Sequence, residues 1–339
     1  MKALPMPISP FPIGKLPQGV LSRLLDTYKR FDDRVMVGPK IGEDCAVIDF
    51  GETCLVVKTD PVTFATEEIG WYVVHVNAND VATMGARPRW FLCTALLPEG
   101  ADEQMAEAIF ASLYRAAETL DVSLCGGHTE ITHGLDRPIL VGQMMGEVTK
   151  ERLVQSDGAR PGDAILLTKG LAIEATALIA REKAGELEGK YPSEFLAHCR
   201  NYLCDPGISV VREAMIACDV AQVHAMHDPT EGGVATGLHE LATASGVGME
   251  LFGDRMLLSE ESRTLCGTFG LDPLGVISSG ALLIVVGAGD RDRVQEAIWE
   301  AGIGCAWIGN VRERSFGVRL GAVPLPRFKR DETANLFES

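Results

Sequence analysis

The spacing of apolar residues along the first part of the chain predicts one helix followed by two strands. Residues 19–31 (GVLSRLLDTYKRF) carry apolar side chains three and four positions apart, which is the period of one helix face. After a break of glycine and proline, the apolar runs CAVIDF and TCLVVKTD predict two strands, the second ending on Asp60. A sheet therefore begins with these runs.

A second helix is predicted over residues 68–84, where the helical spacing of apolar residues returns as a stripe along one side. Asn77 and Asp80 fall three positions apart on one face of it. Residues 85–88, Gly-Ala-Arg-Pro, end this helix. A polar pair among valines is costly to bury without a partner or a ligand, so Asn77 and Asp80 are candidate binding residues.

Strands and helices alternate through the rest of the chain. The first of these elements are strand WFLCTALL, helix ADEQMAEAIFASLYRAAETL, strand VSLCGG with a double-glycine turn, and strand RPILVGQMMGEV. They are followed by strand DAILLTKG and by helices LAIEATALIAREKA, SEFLAHCRNYL and ISVVREAMIACD. The last are strand and turn VHAMHDPTEGG, helix VATGLHELATAS, a helix capped by Ser259, strand ALLIVV, helix DRVQEAIWEA and strand CAWIGNV.

Residues 156–163 are turn formers, which predicts two domains, 1–155 and 156–339. Five prolines make residues 1–17 an expected extended arm.

Charge and composition exclude several classes of partner. The chain of 339 residues has 31 Lys and Arg against 47 Asp and Glu, a net charge of −16, which repels nucleic acid and anionic membranes. The longest apolar run, 281–286, is far shorter than a membrane-spanning helix, and prolines interrupt any signal-peptide core, so we expect a cytoplasmic protein. The nine cysteines show no C-x-x-C spacing, which favours buried thiols over disulfides or a zinc site.

The common nucleotide-binding and hydrolase motifs are absent, and acidic turns remain as the candidate chemistry. These turns are Gly42-Glu43-Asp44, Lys58-Thr59-Asp60, Asn77-Ala78-Asn79-Asp80, Gly126-Gly127-His128-Thr129-Glu130 and Asp228-Pro229-Thr230-Glu231-Gly232-Gly233. Oxygen ligands spread over several loops suit Mg²⁺, which takes one or two carboxylates together with substrate phosphates. Glycines let backbone N–H groups approach those phosphates.

Several single residues have two readings at this point. Lys58 and Lys169 each end an apolar strand, where a lysine either contacts phosphate or is simply solvated. His128 is a metal ligand, a general acid or a capped turn residue, and His227 has the same three possibilities. Cys45 follows Asp44 and is either a nucleophile or a small buried hydrophobe, as most thiols in such runs are.

The order and spacing of the five turns resemble the AIR synthase (PurM-like) superfamily of ATP-using enzymes. This superfamily includes aminoimidazole ribonucleotide synthetase, thiamine-monophosphate kinase, selenophosphate synthetase and the hydrogenase maturation protein HypE. The matching segments are GEDCAVI, KTDPVTF, NANDVATMGARP, GGHTE and DPTEGGVA, and the last is most similar to HypE. The resemblance covers residues 16–312.

The resemblance implies a PurM-like N-terminal α+β domain, whose sheet pairs with a second copy in a β-barrel-like dimer core, and a PurM-like C-terminal α/β domain. It also implies that ATP and Mg²⁺ bind in the groove between the domains. The implied metal ligands are Asp44, Asp60 and Asp80. Together with the residues singled out above, we expect Asp80, Asp228 and His128 to be catalytic. We expect the nucleotide to be bound by Asp44, Lys58, Thr59, Asp60, Asn77, Asp80, Gly126, Gly127, Thr129, Glu130, Lys169 and Thr230.

The chain departs from the family pattern at two places. His128 stands where relatives often have Asp or Glu, so that ligand is either lost or passed to Glu130. HypE enzymes carry a carbamoyl group on a terminal cysteine, whereas this sequence has no cysteine after Cys305, so we do not expect the cysteine-tethered thiocyanate route.

We therefore expect a HypE-like, ATP- and Mg²⁺-dependent protein that activates a substrate oxygen by phosphoryl transfer. Two alternatives stay open: a non-catalytic nucleotide-binding assembly or regulatory factor, and a thiamine-monophosphate kinase-like phosphotransferase. The acceptor is a small molecule or is tethered to a protein, and maturation-factor proteins are candidate partners.

Overall fold

A computed structural model describes the residues that carry the predicted elements. The described residues are 11, 16–28, 32–39, 43–63, 65 and 67–337. Most of the predicted arm, and Gly42 of the first acidic turn, therefore lie outside the described residues.

In the described residues, the first part of the chain builds one six-stranded sheet and three helices. Its helices are α1 (Gln18–Thr27), α2 (Ile69–Thr83) and α3 (Glu103–Thr119), and its strands are β1 (Val35–Val37), β2 (Ala46–Asp49), β3 (Thr53–Val62), β4 (Arg87–Leu97), β5 (Ser123–Ile131) and β6 (Ile139–Thr149). The strand order is β1-β2-β3-β6-β4-β5, in which only the β4–β5 pair is parallel.

The two faces of this sheet differ in burial. Strand β6 shows the alternation, because Leu140 and Met144 are fully buried on the face that packs against α2, whereas Gln143 and Glu147 on the other face are exposed. We call the second face the outer face. Every residue of the edge strand β5 is exposed.

The observed elements differ from the predicted ones at several places. The second predicted strand continues beyond Asp60 to Val62, because its backbone pairs with β6 along its whole length. The predicted double-glycine turn is wrong, since Gly126 and Gly127 lie inside β5. Gly127 has a positive φ of 152°, and a Cβ there would lie 1.8 Å from the carbonyl oxygen of Cys93, so only glycine allows this pairing.

The stripe predicted on α2 is also wrong, because the helix is buried on nearly every side. It packs against the sheet, against α3 and against elements of the second domain at the same time. Such a position leaves no side of the helix for water, which explains why its polar residues need partners inside the protein.

The second part of the chain builds a seven-stranded sheet flanked by helices. Its strands are β7 (Ala164–Thr168), β8 (Val223–His227), β9 (Gly248–Leu251), β10 (Leu282–Val286), β11 (Cys305–Arg312), β12 (Val318–Leu320) and β13 (Val323–Pro324), and its helices are α4 (Ile173–Glu182), α5 (Ala184–Leu187), α6 (Ser193–Asn201), α7 (Val211–Val220), α8 (Gly233–Ser245), α9 (Glu260–Thr268) and α10 (Arg291–Glu300). The strand order is β13-β12-β9-β11-β7-β10-β8.

The sequence predicted the long elements of this sheet and missed three short strands, β9, β12 and β13, which carry too few residues for a clear period. The predicted cap is confirmed, because Ser259 accepts a hydrogen bond from the backbone N–H of Ser262 at the start of α9.

Helix α2 joins the two domains. The Asn79 side chain donates to the carbonyl of Ile208 and accepts from the N–H of Val210, both at 2.8 Å. The indole N–H of Trp71 donates to the carbonyl of Leu203 at 3.3 Å. These bonds fix α2, and therefore Asp80 on it, against the second domain.

Across the described part of the chain, every helix is either too short or too polar to cross a lipid bilayer.

Candidate functional site

A buried lysine lies at the centre of the candidate site. The Nζ of Lys58, which is 8% exposed, lies 2.9 Å from Oδ2 of Asp80 and 3.2 Å from Oδ2 of Asp60. Oδ1 of Asp44 lies 3.9 Å from the same nitrogen. The three carboxylates come from the segment before β2, from β3 and from α2, so the fold gathers residues that are separate in the sequence. We call these four residues the Lys58 cluster.

Asn77 orients this cluster from inside the protein. Its Oδ1 accepts the N–H of Asp60 at 2.8 Å, and its Nδ2 donates to the carbonyls of Val73 at 2.8 Å and Asp60 at 3.2 Å. A Cβ on Gly142 would lie 2.5 Å from Nδ2, so glycine is required opposite the amide. Asn77 is fully buried and its amide bonds to backbone, which makes it a positioning residue for Asp60.

Asp228 brings the second domain to the cluster. It is 2% exposed, and its Oδ2 has no hydrogen-bond partner among the described residues. Burial raises the pKa of Asp228 well above its usual value, and the negative charges of Asp80 and Asp44 raise it further. Burial also raises the pKa of Asp80, which Lys58 opposes. Both pKa shifts are caused first by burial, and the neighbouring carboxylates add to each of them.

Thr230 lies in the turn that follows Asp228. Its carbonyl accepts backbone N–H groups from Gly233 at 3.1 Å and from Ser278 at 3.2 Å. These bonds hold the turn at the beginning of helix α8, and the Thr230 side chain is half-buried there.

His227 and Cys45 border the cluster. The Nε2 of His227 lies 3.0 Å from Oε2 of Glu240. Burial lowers the pKa of His227, but Glu240, Asp44 and other carboxylates outweigh this and raise it overall. Burial raises the pKa of Cys45 well above its usual value, so it remains a thiol. The structure therefore favours the interpretation of Cys45 as a packed hydrophobe over that of a nucleophile.

Lys169, predicted as a phosphate contact, lies in a different environment. Its Nζ is 2.9 Å from Oε1 of Glu213, and it donates to the carbonyls of Gly207 and Ser209. Both charged side chains are buried. Because the ammonium is committed to this buried ion pair, the structure gives Lys169 a structural role beneath the segment that binds Asn79.

The residues predicted from the GGHTE segment do not reach the Lys58 cluster within one chain. Asp60 pairs with Gly142, Gly142 with Cys93, and Cys93 with Gly127. Gly127 is thus three strand spacings away, about 14 Å. Gly126 and Thr129 occupy neighbouring positions on the same exposed strand.

His128, Glu130 and Thr59 lie on the outer face, opposite the Lys58 cluster. His128 is paired with Thr94 in the strand register, and Nε2 of His128 lies 3.0 Å from Oε2 of Glu130. Thr59 is exposed on the outer face because it lies between Lys58 and Asp60 in β3, where side chains alternate. The order of the motifs in the sequence groups these residues with the Lys58 cluster, but it cannot show the face of the sheet on which each side chain lies.

The carboxylates fit a cation that arrives with its own oxygen ligands. Within the described residues, no three His, Cys, Asp or Glu side chains are arranged to hold a metal ion by themselves. Lys58 occupies the middle of its cluster and neutralises one of four nearby carboxylates, and Asp228 keeps an unpartnered oxygen. Mg²⁺ commonly binds through one or two carboxylates and substrate phosphates, which is the arrangement that these residues fit.

Family models match both domains. The N-terminal domain of AIR synthase related protein matches residues 42–148, and its C-terminal domain matches residues 160–321. The chain belongs to the AIR synthase related family. The resemblance seen in the five turns is therefore confirmed, and so is the two-domain PurM-like fold.

Relatives of this family member include proteins of two kinds. The carbamoyl dehydratase HypE of Escherichia coli is 30% identical over 78% of this chain and 76% of its own. A putative hydrogenase expression/formation protein of Methanocaldococcus jannaschii is 27% identical over 79% of this chain and 78% of its own. The thiamine-monophosphate kinase of Aquifex aeolicus is 28% identical over 69% of this chain and 75% of its own.

Several solved structures share the fold of this chain. A HypE–HypF complex aligns with a TM-score of 0.74 at 21% identity over 93% of this chain and 100% of that one. AaThiL complexed with AMPPCP and TMP aligns with a TM-score of 0.72 at 23% identity, over 92% of this chain and 96% of that one. HypE in complex with ATP aligns with a TM-score of 0.69 at 24% identity, over 92% of this chain and 90% of that one.

One buried carboxylate in this AIR synthase related chain was missed by the sequence reasoning. Glu174, on the first turn of α4, is 8% exposed, and its Oε2 has no hydrogen-bond partner in the described part of the chain. Burial raises the pKa of Glu174 to about 7, which the Ser279 hydroxyl opposes. A signal was present, since Glu174 is the only charged residue in the apolar run 171–180.

We expect Glu174→Gln to weaken the pH dependence of folding stability. An unfolded glutamate loses its proton near pH 4.5 and the folded one near pH 7, so the folded state binds more protons between these values. Its contribution is therefore present at low pH and is lost as the pH rises through 7. The unfolding free energy of the wild type should fall between pH 5 and pH 8, and that of the variant should fall by about 2 kcal/mol less.

Urea unfolding at the two pH values measures this difference. Glu182→Gln is the matched control, because Glu182 is an exposed carboxylate at the end of the same helix. Parallel pH curves for wild type and Glu174→Gln would contradict the expectation.

Proposed function

We propose that this protein binds ATP with Mg²⁺ between its two domains and transfers a phosphoryl group to an acceptor oxygen, as a HypE-like member of its family. The observation that carries the proposal is the Lys58 cluster facing Asp228 across the domain interface. The excess of carboxylates over ammonium groups calls for a cation, and a nucleotide supplies the remaining oxygen ligands. The ATP and AMPPCP complexes of proteins with this fold support it.

Each residue has a separate task in the proposed reaction. Asp44, Asp60 and Asp80 would hold Mg²⁺, which neutralises phosphate charge when bound. Lys58 holds the three carboxylates together and offers an ammonium to phosphate oxygens. Catalysis of this kind depends mainly on positioning and on charge stabilisation.

Asp228 would act as the general base. Its raised pKa and unpartnered Oδ2 suit a group that accepts a proton from the acceptor hydroxyl as oxygen bonds to the γ-phosphorus. The bond between the γ-phosphorus and the bridging oxygen breaks in the same transfer, and ADP leaves.

Two acceptors should be tested first. The DPTEGG turn and the HypE relatives favour a HypE-type acceptor, either small or tethered to a partner protein. The solved HypE–HypF complex supports a maturation factor as that partner. The thiamine-monophosphate kinase relative makes thiamine monophosphate the second acceptor to assay.

The described C-terminal segment is packed against the second domain. Leu325 and Leu336 are buried in the core of the second domain, and residues Glu332–Phe337 form a 3-10 helix on it. The Asp331 carboxylate accepts the N–H of Gly232 at 2.6 Å. These contacts hold the described tail against the second domain. Use of ATP also favours action in the cytoplasm.

We further propose that the outer face pairs with a second copy of the chain. Val141, Thr94 and Met145 on it are only half-buried, and Trp90 is 37% exposed. Covering such a face would remove apolar surface from water. It would also place His128 and Glu130 at the interface.

Val141→Arg is expected to convert a dimer to a monomer, because it puts a charge in the middle of this face. Size-exclusion chromatography with light scattering measures the mass. Val323→Arg, at an exposed position in the second domain, is the control and should stay dimeric. A monomeric wild type, or a dimeric Val141→Arg variant, would reject this interface.

Titration calorimetry with a non-hydrolysable ATP analogue tests the proposed function. We expect saturable binding near one nucleotide per chain that requires Mg²⁺. ADP formation that depends on an acceptor would then exclude the alternative of a non-catalytic nucleotide-binding factor. Absence of analogue binding at millimolar concentration would overturn the proposal.

A further inference from the structure

We infer that Glu174 is the centre of a subsite that binds a positively charged nitrogen on the acceptor. The inference rests on the proposed function, because it assigns the acceptor class for the same groove. The starting observation is the carboxylate oxygen Oε2 of Glu174, which is buried and has no hydrogen-bond partner among the described residues. A buried polar atom without a partner is costly, and in a native protein it needs an explanation.

Glu174 lies close to the second-domain turn of the site. The hydroxyl of Ser279 opposes the rise that burial causes in the pKa of Glu174. The preceding residue, Ser278, donates its N–H to the carbonyl of Thr230, and its hydroxyl accepts the N–H of Ala172. A single loop therefore connects the first turn of α4 to the turn that carries Asp228.

The first domain contributes Tyr72 to the same place. Tyr72 is 6% exposed and packs in one cluster with Ile173, the neighbour of Glu174. Its hydroxyl makes no hydrogen bond within the described residues. Burial raises the pKa of Tyr72, and the negative charge of Glu174 raises it further. Tyr72 of the first domain and Ile173, the neighbour of Glu174 in the second, thus belong to one packed cluster.

The charges around Glu174 select the class of ligand. Asp331 and Glu231 lie near enough to disfavour its ionised form. Asp331 is held there by the N–H of Gly232, and its other oxygen accepts the N–H of Thr333 at 2.8 Å. An anion would be repelled, and a neutral amide would leave this charge unbalanced. An ammonium, amidinium or guanidinium group would donate to Oε2 and balance the charge, so the acceptor carries a cationic nitrogen.

Saturation-transfer NMR with three probes of one size tests this subsite. The probes are n-butylammonium, butyramide and butyrate, each added to the full chain with AMPPCP and Mg²⁺. In the wild type we expect the signal of n-butylammonium to be at least five times that of butyrate. Glu174→Gln should reduce it at least fivefold and leave butyramide unchanged, and Glu182→Gln should behave as the wild type. Equal n-butylammonium signals in wild type and Glu174→Gln, or a preference for butyrate, would overturn the inference.

Two further measurements distinguish a ligand-binding role of Glu174 from a structural one. Tyr72→Phe removes only the hydroxyl and should reduce the n-butylammonium signal by a factor of two or more. Glu174→Gln should bind AMPPCP as the wild type does, and loss of both ligands would overturn the inference by showing a structural role. If wild type fails to bind AMPPCP but binds n-butylammonium through Glu174, the proposed nucleotide function fails and the cation subsite stands. If AMPPCP binds to the wild type and the n-butylammonium signal does not depend on Glu174, the cation subsite fails and the proposed nucleotide function stands.

Discussion

Asp80→Asn is expected to reduce acceptor-dependent ATP turnover by a factor of about 10² to 10³, the size of effect seen when one charge-stabilising group is removed from an active site. Asp80 is buried and lies 2.9 Å from Lys58, so the amide keeps the volume of the side chain and removes only its charge. Lys58 retains Asp60 and Asp44 as partners, and the fold should survive. Steady-state ADP release, measured with calorimetric affinity for the Mg²⁺-bound analogue, provides the readout.

The control for this variant is Asp49→Asn. Asp49 lies on the neighbouring strand β2, where its half-buried carboxylate pairs with Lys150 at 2.7 Å, away from the Lys58 cluster. It should retain wild-type turnover. If Asp80→Asn keeps both turnover and affinity within a factor of two of the wild type, the cluster does not hold the nucleotide, and the proposed function loses its main support.

The sequence was sufficient to predict which carboxylates meet. Asp44, Asp60 and Asp80 each belong to a short motif, and the order of those motifs identified a family whose fold gathers them. Asn77 was marked for a related reason, because an amide among valines needs a partner. Its partner is the backbone of Asp60 rather than a ligand, which a residue pattern cannot distinguish.

The positions that could not be predicted depend on contacts between distant segments. The GGHTE motif has the composition of a turn, yet Gly127 is held in β5 by pairing with Cys93 of β4. Lys169 resembles a strand-end phosphate ligand until Glu213, which is 44 residues further along, is placed beside its ammonium. Glu174 is isolated in an apolar run, but nothing local shows that one of its oxygens lacks a partner. In each case tertiary packing, rather than local propensity, decides the environment.

Lys58→Met is expected to lower the unfolding free energy at neutral pH by about 3–5 kcal/mol, which is the cost of breaking a buried ion pair by removing one partner. The variant leaves Asp80 buried beside Asp60 and Asp44 without the ammonium that lies 2.9 Å away in the wild type. Asp80 must then take up a proton to remain buried, and its pKa, which burial already raises to about 7 beside Lys58, rises further. The destabilisation relative to the wild type should therefore shrink as the pH falls below 7 and reach its full size as the pH rises above 7.

Urea unfolding at pH 5.5 and pH 7.5 measures both effects in Lys58→Met. Lys150→Met is the matched control, because its ion pair with Asp49 is exposed and such pairs contribute at most about 1 kcal/mol. Lys58→Arg keeps the charge and should retain more stability than Lys58→Met, although a planar guanidinium fits the three carboxylates less well. A Lys58→Met protein within about 1 kcal/mol of wild type at pH 7.5 would show that water already screens the carboxylates. In that case the cluster is not the dry, charge-focusing site that phosphoryl transfer requires.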